Sequence, residues 1–200
     1  MTDSETKTVE GATPKSGMSM STMGMVLTLA SIACFFAALV VAYAFILPAG
    51  NMTNAVAMPG IFWLSTLLML ASSGTLQWAR RALLRAQLST YRSWLMVTIA
   101  VGYCFLLAQT AGAWLLLARG VAISANPQGN MYYVFSFVHA AHLIGGIGGL
   151  HWLKSKANYL MDGEEQPLRK HRQIARLTSM YWHFMGVLWL GLFAFLLGWS

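Results

Sequence analysis

The sequence predicts an all-α, polytopic membrane bundle of five transmembrane helices, and three observations predict it. Charged residues make up only 10% of the 200 residues and hydrophobic residues 57%, whereas an ordinary soluble domain carries roughly 25% charge. The charges also fall in short clusters: no Asp, Glu, Lys or Arg stands between Lys15 and Arg80, or between Arg92 and Arg119. Finally, the uncharged runs are continuous and rich in Leu, Ala and Met, unlike the alternating segments of about ten residues that build a barrel. Two Cys and five Pro exclude a disulfide scaffold or a Pro-rich disordered chain. The net charge of +7 does not describe a nucleic-acid surface, because the positive residues are not spread over a hydrated face.

Residues 1–20 are polar and mixed in charge, without a leader pattern, and read as a disordered cytoplasmic tail before a single membrane domain, 21–200. A spanning helix needs about 20 apolar residues, so the first uncharged run is too long for one. Pro48-Ala-Gly-Asn51 and Pro59 divide it into helices near 22–47 and 59–80. Arg92 and Arg119 bound the third helix, near 93–118. Pro127-Gln-Gly-Asn130 and Lys154 bound the fourth, near 131–153, and the fifth, near 177–199, follows Arg176.

Five crossings put the tail and the loops after helices two and four on one side. That side holds every one of the 13 Lys and Arg residues except Arg119. The bias predicts a cytoplasmic N-terminus and a periplasmic C-terminus. Trp78, Trp94, Trp152 and Trp182 fall near the inner ends of the runs, and Trp63, Trp114 and Trp199 near the outer ends, as interfacial rings should. No internal repeat suggests paired transporter halves.

All six acidic residues lie in the tail or in the 155–175 loop, which counts against an ion-coupled transporter or proton pump with its own membrane carboxylate. Facilitated transport stays open. The notable polar residues inside the runs are His139 and His142, three apart on one helix face, and His183 on the fifth helix. Gly146 and Gly149 continue the histidine stripe, and Gly145-x-x-x-Gly149 is a close-packing pattern, so this stripe should face protein. Its histidines suit haem or metal ligation, with His142 and His183 as the possible pair, or else interhelical hydrogen bonding or lipid contact. Met18, Met20, Met23 and Met25 offer soft thioethers that bind Cu(I) or simply fill apolar space. Cys34 and Cys104 read as small hydrophobes, and Gln109 should find a partner on a neighbouring helix. No nucleophile–base pair, phosphate loop or Cys/His cluster appears, so no catalytic residue is assigned.

Five segments also share an order. They are Ser31-Ile-Ala-Cys-Phe35-Phe36 with Ala42-Tyr43, Leu64-Ser-Thr66 through Ser72-Ser73-Gly-Thr75, and Gly102-Tyr-Cys-Phe105 with Gln109. The remaining two are Phe137-Val-His139-Ala-Ala-His142 and Tyr181-Trp182-His183-Phe184 with Trp189. Together they resemble subunit III of bacterial haem–copper respiratory oxidases in its five-helix form, over about residues 25–200. The chain departs from that family at three positions where a carboxylate is usual: Ile32, Gly112 and Gly186 stand there instead.

The resemblance implies a non-catalytic subunit in the bacterial cytoplasmic (inner) membrane. It implies binding to catalytic subunit I, with subunit II in the same proton-pumping complex, and haem and copper only in those partners. It further implies bound phospholipid in a cleft between helices 1–2 and 3–5. The missing carboxylates weaken any part in proton supply and leave packing and lipid holding. Arg80, Arg81 and Arg176 flank the helices as candidate phosphate partners, and Trp182 and His183 as candidate contacts to headgroups or acyl chains. Within the resemblance a quinol oxidase subunit or a nitric oxide reductase accessory subunit is the alternative to cytochrome c oxidase. Outside it, the alternative is a b-type haem carrier using His142 and His183.

Overall fold

The computed structural model describes residues 19–46, 60–119, 127–157 and 165–198. Five helices make up nearly all of them: α1 (Met20–Ile46), α2 (Ile61–Leu84), α3 (Leu88–Ala118), α4 (Pro127–Ala157) and α5 (Glu165–Gly198). All but α2 are long and apolar enough to cross a membrane. This is a multi-pass all-α bundle. α2 has the length, at 24 residues, but its hydroxyl and arginine side chains lower its hydropathy. The break at 48–59, residues 1–18 of the predicted tail, the acidic loop residue Asp162 and Trp199 lie outside the described residues.

A helix occupies each predicted run, although α2 falls short of the hydropathy of a membrane span, and the helices continue beyond the expected bounds. α3 starts at Leu88 and not near 93, α4 runs to Ala157 and not 153, and α5 starts at Glu165 and not near 177. The reason is that an uncharged run marks where hydrocarbon ends, not where backbone hydrogen bonding does. Arg, Lys and Gln propagate helix well in the polar layer. The extension of α5 is also held from three sides. The His171 ring nitrogen Nε2 lies 3.0 Å from the Tyr91 hydroxyl, and Gln173 donates to Ser21 Oγ at 2.6 Å. Arg172 donates to the Leu83 and Leu84 carbonyls at 3.4 Å each. Those carbonyls are among the last of α2, where the Leu83 carbonyl also accepts from the Ala86 N–H, and Arg172 adds a basic cap to that helix end.

The α2–α3 turn is tight and specific. The Gln87 N–H reaches the Ala82 carbonyl at 3.0 Å and the Ala86 N–H the Leu83 carbonyl at 3.1 Å, with Ala86 at φ 56°. This is the paired 6→1 and 5→2 bonding that ends a helix on a left-handed residue, here without the usual glycine. It folds α3 back along α2 as an antiparallel pair, and that pair makes the most extensive helix contact in the bundle. α5 then packs on α2 and α4, and α3 on α4.

α1 is the outlier. It rests on α4 and α5 along one strip, Ile32, Phe36 and Tyr43, and shares almost no contact with α2. The expected grouping of helices 1–2 against 3–5 is therefore corrected: α2 belongs with α3 and α5, and α1 stands at the edge. The physical cause is composition. The polar groups on the inner face of α2 need partners, whereas α1 presents apolar side chains all round and is satisfied by a narrow contact.

Candidate functional site

The residues with chemical character build two features, a polar rail through the bundle and an arginine-rich end. The rail belongs to α2. Ser65, Thr66 and Ser72 each donate to a carbonyl of their own helix at 2.8–2.9 Å, which leaves their oxygen lone pairs free to accept. Trp182 Nε1 of α5 donates to Ser72 Oγ at 3.1 Å and Trp189 Nε1 to Thr66 Oγ1 at 3.2 Å. Gln109 of α3 donates to Ser65 at 2.8 Å and accepts from the Tyr132 hydroxyl of α4 at 3.3 Å. Thr75 and Thr98 face each other at 2.9 Å. Gln109 thus has the partners its place in the third run requires. The identity of the rail was not apparent from sequence, although Ser65, Thr66, Ser72 and Thr75 recur at helical spacing.

Trp182 is 0% exposed. Of the two roles open to this residue, lipid contact or interhelical packing, its burial fits the second: its ring is wedged between α3 and α4. A Cβ added at Gly102 would lie 3.2 Å from the Trp182 ring, and one at Gly146 3.0 Å from Tyr181 and 3.2 Å from Trp182. The close-packing pattern shifts accordingly. Gly146 takes the rings and Gly149 faces Thr178, while Gly145, the first residue of the expected Gly-x-x-x-Gly, meets nothing within 4 Å.

The three histidines go to different places. His139 is 1% exposed, among Trp189 (ring centroids 5.2 Å apart), Phe105 (5.9 Å) and Phe36 (6.4 Å), and neither ring nitrogen has a hydrogen-bond partner. The interhelical hydrogen bond expected of it is absent, and it packs as an aromatic ring. His142 gives Nδ1–H to the Val138 carbonyl at 2.8 Å and turns its ring to Phe36 of α1 at 5.7 Å. His183 sits within electrostatic range of Arg80 on α2. No hydrogen bond or ring contact joins His142 to His183, the possible pair of the alternative reading. Among the described residues no three His, Cys, Asp or Glu side chains come together. Cys34 and Cys104 are free and exposed on different helices.

Replacing His139 by leucine is expected to stabilise the bundle by about 1–2 kcal/mol, because an apolar side chain of similar size removes an unpaired buried polar group. Unfolding in mixed micelles by titrated dodecyl sulfate reads this directly. A loss of stability would mean instead that the ring contacts with Trp189, Phe105 and Phe36 outweigh the cost of the unpaired nitrogens.

The positions that depart from the resembled family are also packed. Ile32 belongs to the strip that docks α1. A Cβ on Gly112 would clash with Cε1 and Cζ of the Phe62 ring, and one on Gly186 would lie 3.3 Å from Ser73 Oγ.

The second feature is at the end where α2 closes and α5 opens. Arg80, Arg172 and Arg176 line a cavity of about 250 Å³ there, with Leu83, Leu84 and Gln173. Arg80 and Arg176 are therefore neighbours, as their assignment as phosphate partners needs, and Arg172 joins them. Arg81, adjacent in sequence, points away to a different cavity between α2 and α3. Arg172 passed unnoticed in the sequence, where nothing but its cluster of neighbouring charges marked it.

Comparison with known proteins adds an independent line. The family described as Cytochrome c oxidase subunit III matches residues 3–200. A probable cytochrome c oxidase subunit 3 of Nocardia farcinica is 29% identical over 129 residues, covering 64% of this chain and 61% of that protein. The cytochrome c oxidase subunit 3 of Corynebacterium diphtheriae is 29% identical over 128 residues, covering 64% and 60%. That of Thermostichus vulcanus is 27% identical over 136 residues, covering 66% and 63%. The matched stretch thus spans about six-tenths of the length of these relatives.

Proposed function

The chain belongs to the cytochrome c oxidase subunit III family, and on that premise we propose that it is the non-catalytic subunit III of a haem–copper terminal oxidase. Its site is a bacterial cytoplasmic membrane, and it binds catalytic subunit I, with haem and copper held by the partner subunits. The observation that carries this reading is the family match along the chain, joined to a bundle in which the polar side chains of α2 are spent on helix packing. The α2 rail engages Trp182, Trp189, Gln109 and Thr98 in helix packing. What the chain offers outward is surface: the flanks of α1, which includes the exposed Phe35, Val41 and Phe45, and the arginine-rich end.

The arginine-rich end faces the cytoplasm in this reading, following the bias of basic residues. Arg80, Arg172 and Arg176 hold a phospholipid phosphate in their cavity. Lipid that binds only the assembled state stabilises it by mass action. The chain therefore acts on turnover indirectly, by keeping the catalytic subunit intact.

The test is purification of the tagged full chain from native membranes in mild detergent. A haem-bearing catalytic subunit is expected to accompany it in stoichiometric yield. Recovery of the folded chain alone under conditions that preserve oxidase activity in the same membranes would overturn the proposal.

A further inference from the structure

Three consecutive residues of α5 each reach a different helix. His171 meets Tyr91 of α3, Arg172 donates to the Leu83 and Leu84 carbonyls at the end of α2, and Gln173 donates to Ser21 of α1. The first of these contacts is the buried one. His171 is 4% exposed and Tyr91 1%, although Arg169 and Lys170 beside His171 are exposed. We infer that the stretch of α5 from Glu165 to Arg176 is an acid-released latch, closed by the Tyr91–His171 bond and opened when His171 takes a proton.

The direction of that bond sets the response. Tyr91 has no other hydrogen-bond partner among the described residues, and a buried hydroxyl keeps its proton on an acceptor. Its O–H therefore donates to Nε2 at 3.0 Å, which requires the unprotonated nitrogen of a neutral ring. The two rings meet edge to face, with centroids 5.6 Å apart and planes at 88°. A proton on Nε2 removes the acceptor and leaves the Tyr91 hydroxyl without one. It also sets a charge in a buried place, which is costly without an anion to pair it. The charged groups at this end are basic on each helix that bears them, with one exception. They are Arg80 on α2, with Arg81 and Arg85 on its other flank, Arg92 on α3, and Lys154 and Lys156 on α4. α5 itself adds Arg172 and Arg176 beside the exposed Arg169 and Lys170, and α1 carries no charge. The exception is Glu165, at the very start of α5. His171 stands before the uncharged run that follows Arg176, and burial holds its ring below the usual imidazole range. The latch is therefore at full strength above about pH 6.5, the ordinary value, and weakens as the pH falls below it.

Arginine and glutamine fasten the extension at any pH, and only the imidazole makes its hold depend on acidity. Release also frees what rides with it. Gln173 ties Ser21 near the start of α1, and α1 is the helix held by the narrowest strip. Acid release thus acts first on the edge helix and leaves the α2–α3 pair, closed by its own turn, in place. The inference goes beyond the proposed function and does not depend on assembly with an oxidase.

The test is hydrogen exchange of the purified full chain in mild detergent, read by mass spectrometry and corrected for the intrinsic pH dependence of exchange. A ring that binds no proton when latched and titrates at its ordinary value when released raises the opening constant about tenfold between about pH 7.5 and about pH 5.5. That rise is expected for the backbone amides of the α5 extension and of the first turn of α1, and not for the α2–α3 turn. His171→Gln keeps a neutral acceptor for Tyr91 and should lose the rise, staying within about twofold over the same range. Tyr91→Phe should open the latch about fivefold more often at the higher pH, the worth of one hydrogen bond, and keep the rise. A flat wild type, an equal rise in the α2–α3 turn, or the full rise in the glutamine variant would overturn the inference. So would an unchanged opening in Tyr91→Phe at the higher pH. If the glutamine variant does not fold, the imidazole carbon resonances of His171 in the wild type decide. Protonation in step with opening supports the latch, and protonation of the closed form overturns it.

Discussion

Trp182→Ala is expected to destabilise the bundle by about 3–5 kcal/mol, the usual cost of truncating a fully buried large aromatic residue. Every surface of the indole is engaged. Its N–H bonds Ser72 on α2, Cη2 and Cζ2 lie against Gly102 on α3, and Cε3 and Cζ3 against Gly146 on α4. Truncation therefore opens a void at a point where four helices meet. It also leaves α4 and α5 separated by glycines that were matched to a ring. Dodecyl sulfate titration of the full chain measures the loss.

Two companions assign its origin. Trp182→Phe keeps most of the volume and removes the hydrogen bond, so it should cost about 1 kcal/mol from that source. Trp152→Ala removes an indole that faces outward and should stay within about 0.5 kcal/mol of wild type. If Trp182→Ala and Trp152→Ala behaved alike, the wedge would not be holding the helices.

The contrast between these two tryptophans also marks where sequence stops being informative. Both stand near the end of an uncharged run, so hydropathy and position give them the same interfacial role. What separates them is the neighbour across the helix boundary, Gly146 and Ser72 for one and open surface for the other, and no single-chain pattern carries that. Gln109 shows the same limit from the other direction. An amide in hydrocarbon must find a partner, so the existence of its bond was legible while the identity of Ser65 and Tyr132 was not.

The spans themselves were legible because burial in lipid imposes a rule on every residue in a run: no charge for about 20 residues. The ends of the helices obey no such rule, which is why α5 gained the stretch from Glu165 to Arg176. The arginine end was legible as a charge bias, but its division into two cavities was not. Arg80 and Arg81 are neighbours in sequence, and only the helical turn of about 100° per residue sends them to opposite flanks of α2. The grouping of the helices was misread for a related reason: α2 scores as the least apolar run, yet its polar side chains bring it among the other helices and leave α1 outside.

Gly112→Glu is the other change with a large expected effect, at least about 4 kcal/mol of destabilisation. The matching position in the resembled family usually carries that carboxylate, so the substitution would look like a restoration. Here the space is taken. The Cβ alone would clash with the Phe62 ring, which is buried and itself set against Tyr132 at 4.9 Å, so it has little room to swing away. Overpacking of this kind costs about 1–3 kcal/mol before any charge is considered. The carboxylate then adds the cost of an unpaired buried charge, since the nearby Gln109 is already bonded to Ser65 and Tyr132.

The steric and electrostatic parts separate experimentally. Gly112→Ala should show the steric part alone, and Phe62→Ala should relieve it. The double variant would then be more stable than the sum of the two single losses by about 1 kcal/mol or more. Additivity within about 0.5 kcal/mol would mean that the ring is not what fixes glycine at this position. Coupling, by contrast, would establish that Phe62 and Gly112 form one packing unit. A carboxylate could then enter this part of the bundle only together with a smaller residue at position 62.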